Sequence, residues 1–129
     1  MEHHRIEEMD WQPAGEEHFT GQVWFGPVHP SASPETLNVI GVRFDAGARS
    51  DWHSHPAGQV LHVVSGTARV HSEGSETITA RPGDSVVADP GEVHWHGAAP
   101  DGPMIHLSIT DGGPTGWLAR KVTDAEYED

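Results

Sequence analysis

The stretch Gly47-Ala-Arg-Ser-Asp-Trp-His53-Ser-His55-Pro-Ala-Gly-Gln59-Val-Leu-His-Val-Val-Ser-Gly66 decides how the chain folds and what it can bind. It carries two histidines one residue apart and a glutamine four positions later. In an extended strand, residues i and i+2 point to the same face with Cα atoms about 6.5–7 Å apart, so both imidazoles can reach one ion. Pro56-Ala-Gly58 then interrupts the strand. We therefore expect His53 and His55 at the end of one strand and Gln59 at the start of the next, facing one cavity.

A second pair of histidines has the same spacing. His94 and His96 enclose Trp95 on a segment that follows a Gly/Pro turn. Both imidazoles are predicted to face inward, while Trp95 packs on the opposite face. His106 lies on the polar face of a later strand whose other face is apolar. If that apolar face packs against the outer layer or a partner subunit, His106 looks into the same interior. His62 has the opposite parity to Gln59 and is predicted on the outer face.

Composition limits the classes of function. The chain has 129 residues, no cysteine, eleven histidines and a formal net charge of −13. The length indicates one domain, and the absence of cysteine excludes disulfides and thiolate metal sites. The negative charge argues against nucleic acid and anionic membranes as partners. The expected partner is a small-molecule substrate. Without an apolar run in 1–11 or of about eighteen residues elsewhere, no signal peptide or membrane span is predicted, and a cytoplasmic protein is expected.

The periodicity predicts an all-β jelly roll. Short strands separated by Gly/Pro turns are typical of a double-sheet sandwich or barrel. Residues 1–17 form a polar lead-in, and 18–129 form the single domain. The sequence Thr123-Asp-Ala-Glu126 has the spacing of a capping box and predicts a short C-terminal helix. The predicted strands are His18–Phe25, Leu37–Phe44, Gln59–Val64, Thr67–His71, Glu76–Ala80, Ser85–Ala88, Val93–His96 and Met104–Thr110.

Two motifs resemble those of the cupin family. The stretch Gly47–Gly66 resembles the first cupin motif, with Gln59 where the family usually has Glu. The stretch Gly83–Ala98 resembles the second, although Asp89 stands where Pro is common and Ala98 where Asn is common. The resemblance implies a double-stranded β-helix, the cupin barrel, and a dimer or tetramer of identical chains.

Within that family, the sequence is most similar to small bacterial cupins with manganese-dependent (R)-hydroxynitrile lyase activity. The similarity lies in Gly47–Arg49, Trp52–Gln59, Pro90–Pro100 and Met104–Leu107. It implies one divalent transition metal, with manganese favoured. By position, the implied metal ligands are His53, His55, Gln59 and His94. The resemblance places His96 and His106 beside the open coordination positions as catalytic residues. The implied substrate-binding residues are Ile40, Val42, Phe44 and Leu61, and Ile40 is bulkier than the residue typical of the subgroup.

The donor set itself favours non-redox chemistry. Three neutral imidazoles and one amide oxygen leave a divalent ion its full double charge, which makes it a stronger Lewis acid than a site with Glu at position 59. Mixed nitrogen and oxygen ligation suits manganese, iron, cobalt, nickel or zinc. The favoured function is a lyase that cleaves or forms cyanohydrins, with His96 or His106 as the base.

Other interpretations fit the same residues. A His-x-His pair alone is also compatible with two surface imidazoles. The chain could be a metal-dependent dioxygenase, or a non-catalytic cupin that binds a small ligand or a metal, because one fold hosts many chemistries. Asp51 and Glu92 either orient ligand imidazoles or serve only as turn residues.

Overall fold

Glycine- and proline-containing turns divide the chain into thirteen strands. The computed structural model describes residues 1–129. The elements are a 3₁₀ turn (Ile6–Glu8), β1 (Gln12–Pro13), β2 (Phe19–Thr20), β3 (Val23–His29), β4 (Leu37–Phe44), β5 (Arg49–Ser50), β6 (His53–Ser54), β7 (Gln59–Ser65), β8 (Ala68–Ser72), β9 (Thr77–Ala80), β10 (Ser85–Ala88), β11 (His94–Ala98), β12 (Met104–Asp111), β13 (Gly116–Trp117) and α1 (Asp124–Glu128).

The strands form two antiparallel sheets that face each other. The first sheet has the order β1-β3-β4-β12-β7-β10. The second has the order β13-β6-β11-β5-β2, and β8 pairs with both β11 and β9. In the second sheet β11 is central, because it pairs with β5, β6 and β8. This all-β, two-sheet architecture with one short C-terminal helix confirms the predicted jelly roll.

Alternation along the strands builds the core between the sheets. In β7, Gln59, Leu61 and Val63 are buried, whereas the residues between them are half-buried. His62 is one of these intermediate residues, and its Nδ1 lies 2.9 Å from Ser85 Oγ on the outer face, which confirms the predicted parity. The inner faces supply a cluster of twelve buried apolar residues: Phe19, Val23, Val42, Phe44, Ala48, Leu61, Val63, Ala68, Val70, Ala80, Ala98 and Met104.

A second, smaller cluster lies behind β11. Trp52 and Trp95 pack there with Val122 and Tyr127, on the face opposite the histidines, as the parity of Trp95 predicts. The predicted capping box is confirmed: the Thr123 side chain accepts from the Glu126 amide, and the Glu126 side chain accepts from the Thr123 amide. The Tyr127 hydroxyl donates to the Ala98 carbonyl oxygen over 2.6 Å, which fixes α1 against the second sheet.

The prediction of one strand over His18–Phe25 is wrong. Gly21 has a φ of 81°, and it separates β2 from β3. This left-handed backbone conformation turns the chain, so that β2 joins the second sheet and β3 the first. Three other two-residue strands, β1, β5 and β13, were not predicted, because so short a segment shows no periodicity. The fourth, β6, contains His53, which was expected at the end of a strand, but it ends before His55.

Part of the polar lead-in contributes to the fold. β1 pairs with β3 at the edge of the first sheet. The side chains of Met9 and Trp11 lie over Gly26 and Gly41, where a Cβ atom would press against them. The two glycines therefore leave room for these side chains on the outer face of the first sheet. The structure contains no helix with the length and apolar character needed to cross a membrane.

Candidate metal centre

The register of the second sheet brings the two histidine pairs together. His94 is the direct partner of His53 across β11 and β6. Residues opposite each other in an antiparallel pair place their side chains on the same face. The two imidazole centroids therefore lie 4.5 Å apart, and both rings are buried. This contact joins two segments that lie about forty residues apart in the sequence.

Backbone carbonyls fix the tautomers of these two histidines. His53 Nδ1 lies 2.9 Å from the Asp51 carbonyl oxygen, and His94 Nδ1 lies 2.9 Å from the Glu92 carbonyl oxygen. A carbonyl oxygen only accepts, so each Nδ1 carries the proton and each Nε2 keeps a lone pair. Metal-binding histidines are commonly oriented in this way. Asp51 and Glu92 thus orient the imidazoles, as one sequence interpretation proposed, but through their main chains.

His55 and Gln59 bring a further ring nitrogen and an amide oxygen to the site. The His55 centroid lies 5.0 Å from that of His53 and 5.9 Å from that of His94, and its Nε2 is buried without a hydrogen-bond partner. Gln59 Oε1 lies 2.8 Å from His94 Nε2, while its amide nitrogen donates to Ser108 Oγ over 2.9 Å. With a lone pair on His94 Nε2, two acceptors face each other. Such a contact is unfavourable unless a cation is shared between them, so the residues fit a metal ion.

Burial keeps these imidazoles neutral at neutral pH. Burial lowers the pKa of His53 well below its usual value, and the nearby His94 lowers that pKa further. Burial lowers the pKa of His55 to about 4, and it also lowers the pKa of His94. A neutral imidazole has the free lone pair that metal binding requires.

His96 and His106 form a different kind of pair. His96 Nδ1 lies 2.9 Å from His106 Nε2, and both rings are buried beside Phe44. No carbonyl fixes the tautomer of His96, because its partner is an imidazole that either donates or accepts. Burial lowers the pKa of His96 well below its usual value and that of His106 to about 4. The pair can therefore carry one shared proton in either of two positions.

The structure groups His96 with two of the predicted ligands. One ring nitrogen from each of His53, His94 and His96 lies within 4.8 Å of the other two. These three buried histidines could hold a metal ion. Gln59 adjoins the group through His94, and His55 adjoins it through both neighbouring rings. The full ligand set of His53, His55, Gln59 and His94 stays a prediction.

A cavity of about 100 Å³ opens onto the histidines. Of the predicted substrate-binding residues, Ile40 and Val42 line it, whereas Phe44 and Leu61 belong to the core cluster outside the lining. His96 lines the cavity, and His106 does not. The lining residues are Phe19, Phe25, Asn38, Ile40, Val42, His53, His55, Gln59, His96, Ser108, Thr110, Gly113, Thr115 and Trp117.

Sequence reasoning missed three aromatic walls of this cavity. Phe19, Phe25 and Trp117 come from β2, β3 and β13. Phe25 could have been predicted from the sequence, since it shares a face with Val23 on a predicted strand. Phe19 has the same parity within that predicted strand, whereas Trp117 lies on a two-residue strand whose position depends on the sheet pairing.

Two antiparallel sheets that enclose a buried cluster of imidazoles define the class: a jelly-roll β-barrel protein with a candidate metal centre in its interior. The model of the cupin domain family, Cupin_2, matches residues 41–110 of the chain. The chain therefore belongs to the cupin family.

Known proteins resemble the chain over most of its length. It is 42% identical over 112 residues to a protein of Granulicella tundricola named (R)-mandelonitrile lyase, covering 84% of this chain and 85% of that protein. A cupin-like protein from Thermotoga maritima has a TM-score of 0.87 and 37% identity, covering 97% of this chain and 96% of that one. KdgF from Halomonas sp. has a TM-score of 0.60 and 31% identity, covering 81% and 91% of the two chains.

Proposed function

We propose that the chain is a metal-dependent lyase of the hydroxynitrile lyase type, which splits a cyanohydrin into an aldehyde and cyanide or catalyses the reverse reaction. The observation that carries this proposal is the 42% identity to the Granulicella (R)-mandelonitrile lyase, which extends over 84% of the chain. The fold alone would not choose a reaction, since cupin barrels host many. The manganese ion and the homodimer belong to the same proposal and rest on family likeness.

The geometry of His96 supports its role as the base. Its ring lines the cavity, and its Nδ1 contacts His106 Nε2 over 2.9 Å. When Nδ1–H is donated to His106, the cavity-side Nε2 carries a lone pair and can take the hydroxyl proton of a bound cyanohydrin. A divalent cation held by the neighbouring histidines would supply Lewis-acid stabilisation of the oxygen that loses this proton.

The proton and the electron pair of the broken carbon–carbon bond both leave with the products. As the carbon–oxygen bond becomes a carbonyl, the bond to the nitrile carbon breaks, and cyanide leaves with its electron pair. His96 returns the proton to the leaving cyanide, so that hydrogen cyanide and aldehyde are released. His106 positions the His96 ring through their hydrogen bond and shares its proton in the charged state.

The size of the cavity favours a small carbonyl partner. An apolar cavity of about 150 Å³ is large enough to bind benzene. The present cavity measures about 100 Å³, and Ile40 forms part of its wall. We therefore propose that the cyanohydrin of a short aliphatic aldehyde fits better than that of benzaldehyde.

The test combines metal analysis with two substrates. Protein purified without chelators is analysed for transition metals, and aldehyde release is followed from the cyanohydrins of acetaldehyde and benzaldehyde. We expect metal-dependent turnover of both, with the smaller substrate preferred. The Ile40→Ala variant should shift kcat/KM toward the larger substrate by about 10-fold, because a pocket discriminates one methylene group by at least that factor. Metal-loaded protein that turns over neither cyanohydrin, or that consumes O₂ instead, would contradict the lyase.

A further inference from the structure

One lysine joins three separate segments of the chain behind the metal centre. Lys121 Nζ donates to the carbonyl oxygens of Glu16 (2.8 Å), Glu17 (3.0 Å) and Phe19 (3.3 Å). The same ammonium lies 3.2 Å from Asp51 Oδ1. The Lys121 side chain itself is 50% exposed, so only its end reaches these acceptors. It therefore links the segment after residue 120 to the chain before β2 and to the residue that follows β5.

Lys121 is the one cationic side chain that pairs with the Asp51 carboxylate. Its side chain is 2% exposed, and Oδ1 makes no hydrogen bond, because the ammonium approaches at an angle outside the usual range. Burying a carboxylate is costly unless a partner charge lies close. A buried ion pair is weak evidence for stability, since apolar residues of similar shape often stabilise a fold equally well. The position of this pair therefore points to a role in geometry.

The same residue carries the carbonyl group that orients His53. The Asp51 carbonyl oxygen accepts from His53 Nδ1 over 2.9 Å, while its amide donates to the His18 carbonyl oxygen over 2.9 Å. On the other side of the ammonium, Phe19 gives its carbonyl oxygen to Lys121 and its ring to the cavity wall. Lys121 thus fixes both the main chain that orients His53 and the strand that carries one wall of the cavity.

His94, the other histidine that a backbone carbonyl orients, is held without a charge pair. Its carbonyl comes from Glu92, whose carboxylate Oε1 accepts from the Asp89 amide over 2.8 Å and shapes the turn before β11. His94 therefore depends on a local turn, and His53 depends on a contact that crosses seventy residues of sequence.

We propose that the Lys121–Asp51 pair is a positioning element of the metal centre: it holds the Asp51 carbonyl so that His53 keeps its Nε2 lone pair available to a divalent cation. Removing the ammonium leaves the Asp51 carboxylate unpaired and lets this segment shift. The His53 ring then samples the other tautomer, and the cation is bound more weakly. Changes to partners that orient a metal ligand typically weaken metal binding 10- to 100-fold.

The experiment measures Mn²⁺ affinity in the full chain by the EPR signal of the free ion. Lys121→Met, which removes the charge but keeps the length, should weaken Mn²⁺ binding by about 10- to 100-fold. Lys121→Arg should stay within about three-fold of the parent, since the charge is retained. The matched control is Arg120→Met: Arg120 is the adjacent basic residue, pairs with Glu73 at the surface and lies over the Trp52 ring, so this variant removes a neighbouring cation without removing a contact to Asp51. Arg120→Met should leave the affinity unchanged.

A second readout separates positioning from stability. In metal-free protein labelled with ¹⁵N, the imidazole spectrum should show His53 protonated at Nδ1 in the parent and a mixture of tautomers in Lys121→Met. The double variant Asp51→Asn/Lys121→Met buries no unpaired charge and keeps the fold testable should the single variant unfold. It should show the same loss of affinity. A lower melting temperature with unchanged Mn²⁺ affinity and an unchanged His53 tautomer would overturn the proposal.

Discussion

The two histidine pairs have the same spacing but lie in different surroundings. His53 lies on the two-residue strand β6, which ends before His55. His94 and His96 lie within β11, whose five residues are all buried. His55 therefore projects from a turn with its Nε2 unpartnered, whereas His96 projects into the barrel and meets His106. Although the spacing is equal, the first members of the two pairs, His53 and His94, have similar surroundings, whereas the second members, His55 and His96, do not.

The hydrogen bonds of three of these rings explain this difference in chemical terms. The first members, His53 and His94, give their Nδ1 protons to carbonyl groups and keep a fixed lone pair. A fixed lone pair suits a metal ligand. His96 shares its Nδ1 with another imidazole, so its proton can move. A ring with a movable proton suits acid–base chemistry. This difference supports the proposal in which His53 and His94 bind the ion and His96 transfers the proton.

The largest expected effect is loss of the metal on removal of a first member. His94→Ala should lower metal affinity by at least about 100-fold and abolish turnover, because the ring supplies a fixed lone pair at the centre of the cluster. Elemental analysis and titration with Mn²⁺ measure the change. The control is His62→Ala, which removes an imidazole from the outer face of β7. If His94→Ala still bound one metal ion per chain, His94 would not be a required ligand, and the distinction between His94 and His96 would be wrong.

The second members should then respond in opposite ways. His96→Ala should keep its metal but lose turnover by about 10²- to 10⁴-fold, the range for a general base. His55→Ala should lose metal affinity, because the His55 Nε2 is buried without a hydrogen-bond partner and the ring lies beside those of both His53 and His94. Metal content and kcat are measured on the same preparations. A His96→Ala protein purified without metal would place His96 among the ligands, as its 4.8 Å grouping with His53 and His94 permits.

The buried imidazoles predict acid sensitivity of the metal-free protein. Burial holds the pKa values of His55 and His106 at about 4, whereas an unfolded histidine titrates near about 6.5. Between these values the unfolded chain binds protons that the folded chain does not, so stability falls as pH falls from about 6.5 toward 4. Across that window the fully buried His106 lowers the free energy of unfolding by on the order of 3 kcal/mol, and His55, which lies nearer to solvent, lowers it by less.

Urea unfolding of chelator-treated protein at several pH values tests this direction. We expect a constant free energy of unfolding above pH 7 and a decrease below about 6.5. His106→Gln should reduce the slope, since one depressed imidazole is removed. The same slope in His62→Ala serves as the control. Stability that rises as pH falls would mean that the rings are charged in the folded state.

Local patterns predicted the fold well where strands were long. The alternation of Leu37–Phe44 and of the run from Gln59 identified β4 and β7, and the turn residues gave the jelly roll. The two-residue strands β5 and β13 and the pairing of β6 could not be predicted, because they depend on partners far along the chain. For the same reason, spacing proposed which histidines face inward, but not that His94 lies opposite His53 or that His96 contacts His106.

The smallest effect concerns the hydroxyl group that orients Gln59. Ser108 Oγ accepts from Gln59 Nε2 over 2.9 Å, which turns Oε1 toward His94. Without the hydroxyl the amide can rotate and donate to His94 Nε2, so the lone pair needed by a cation is occupied. Ser108→Ala should therefore weaken Mn²⁺ binding by about 5-fold, which corresponds to one neutral hydrogen bond of about 1 kcal/mol.

A matched control lies two residues further along the same face of β12. Thr110 Oγ1 accepts from Asn38 Nδ2 over 3.2 Å at the cavity wall, without touching Gln59. Thr110→Val should leave Mn²⁺ affinity unchanged, and Ser108→Thr should retain most of it because the hydroxyl is kept. Equal affinities in Ser108→Ala and the parent would mean that Gln59 does not ligate. The Gln59 carboxamide would then contact His94 without binding the ion, and the imidazoles alone would supply the protein ligands.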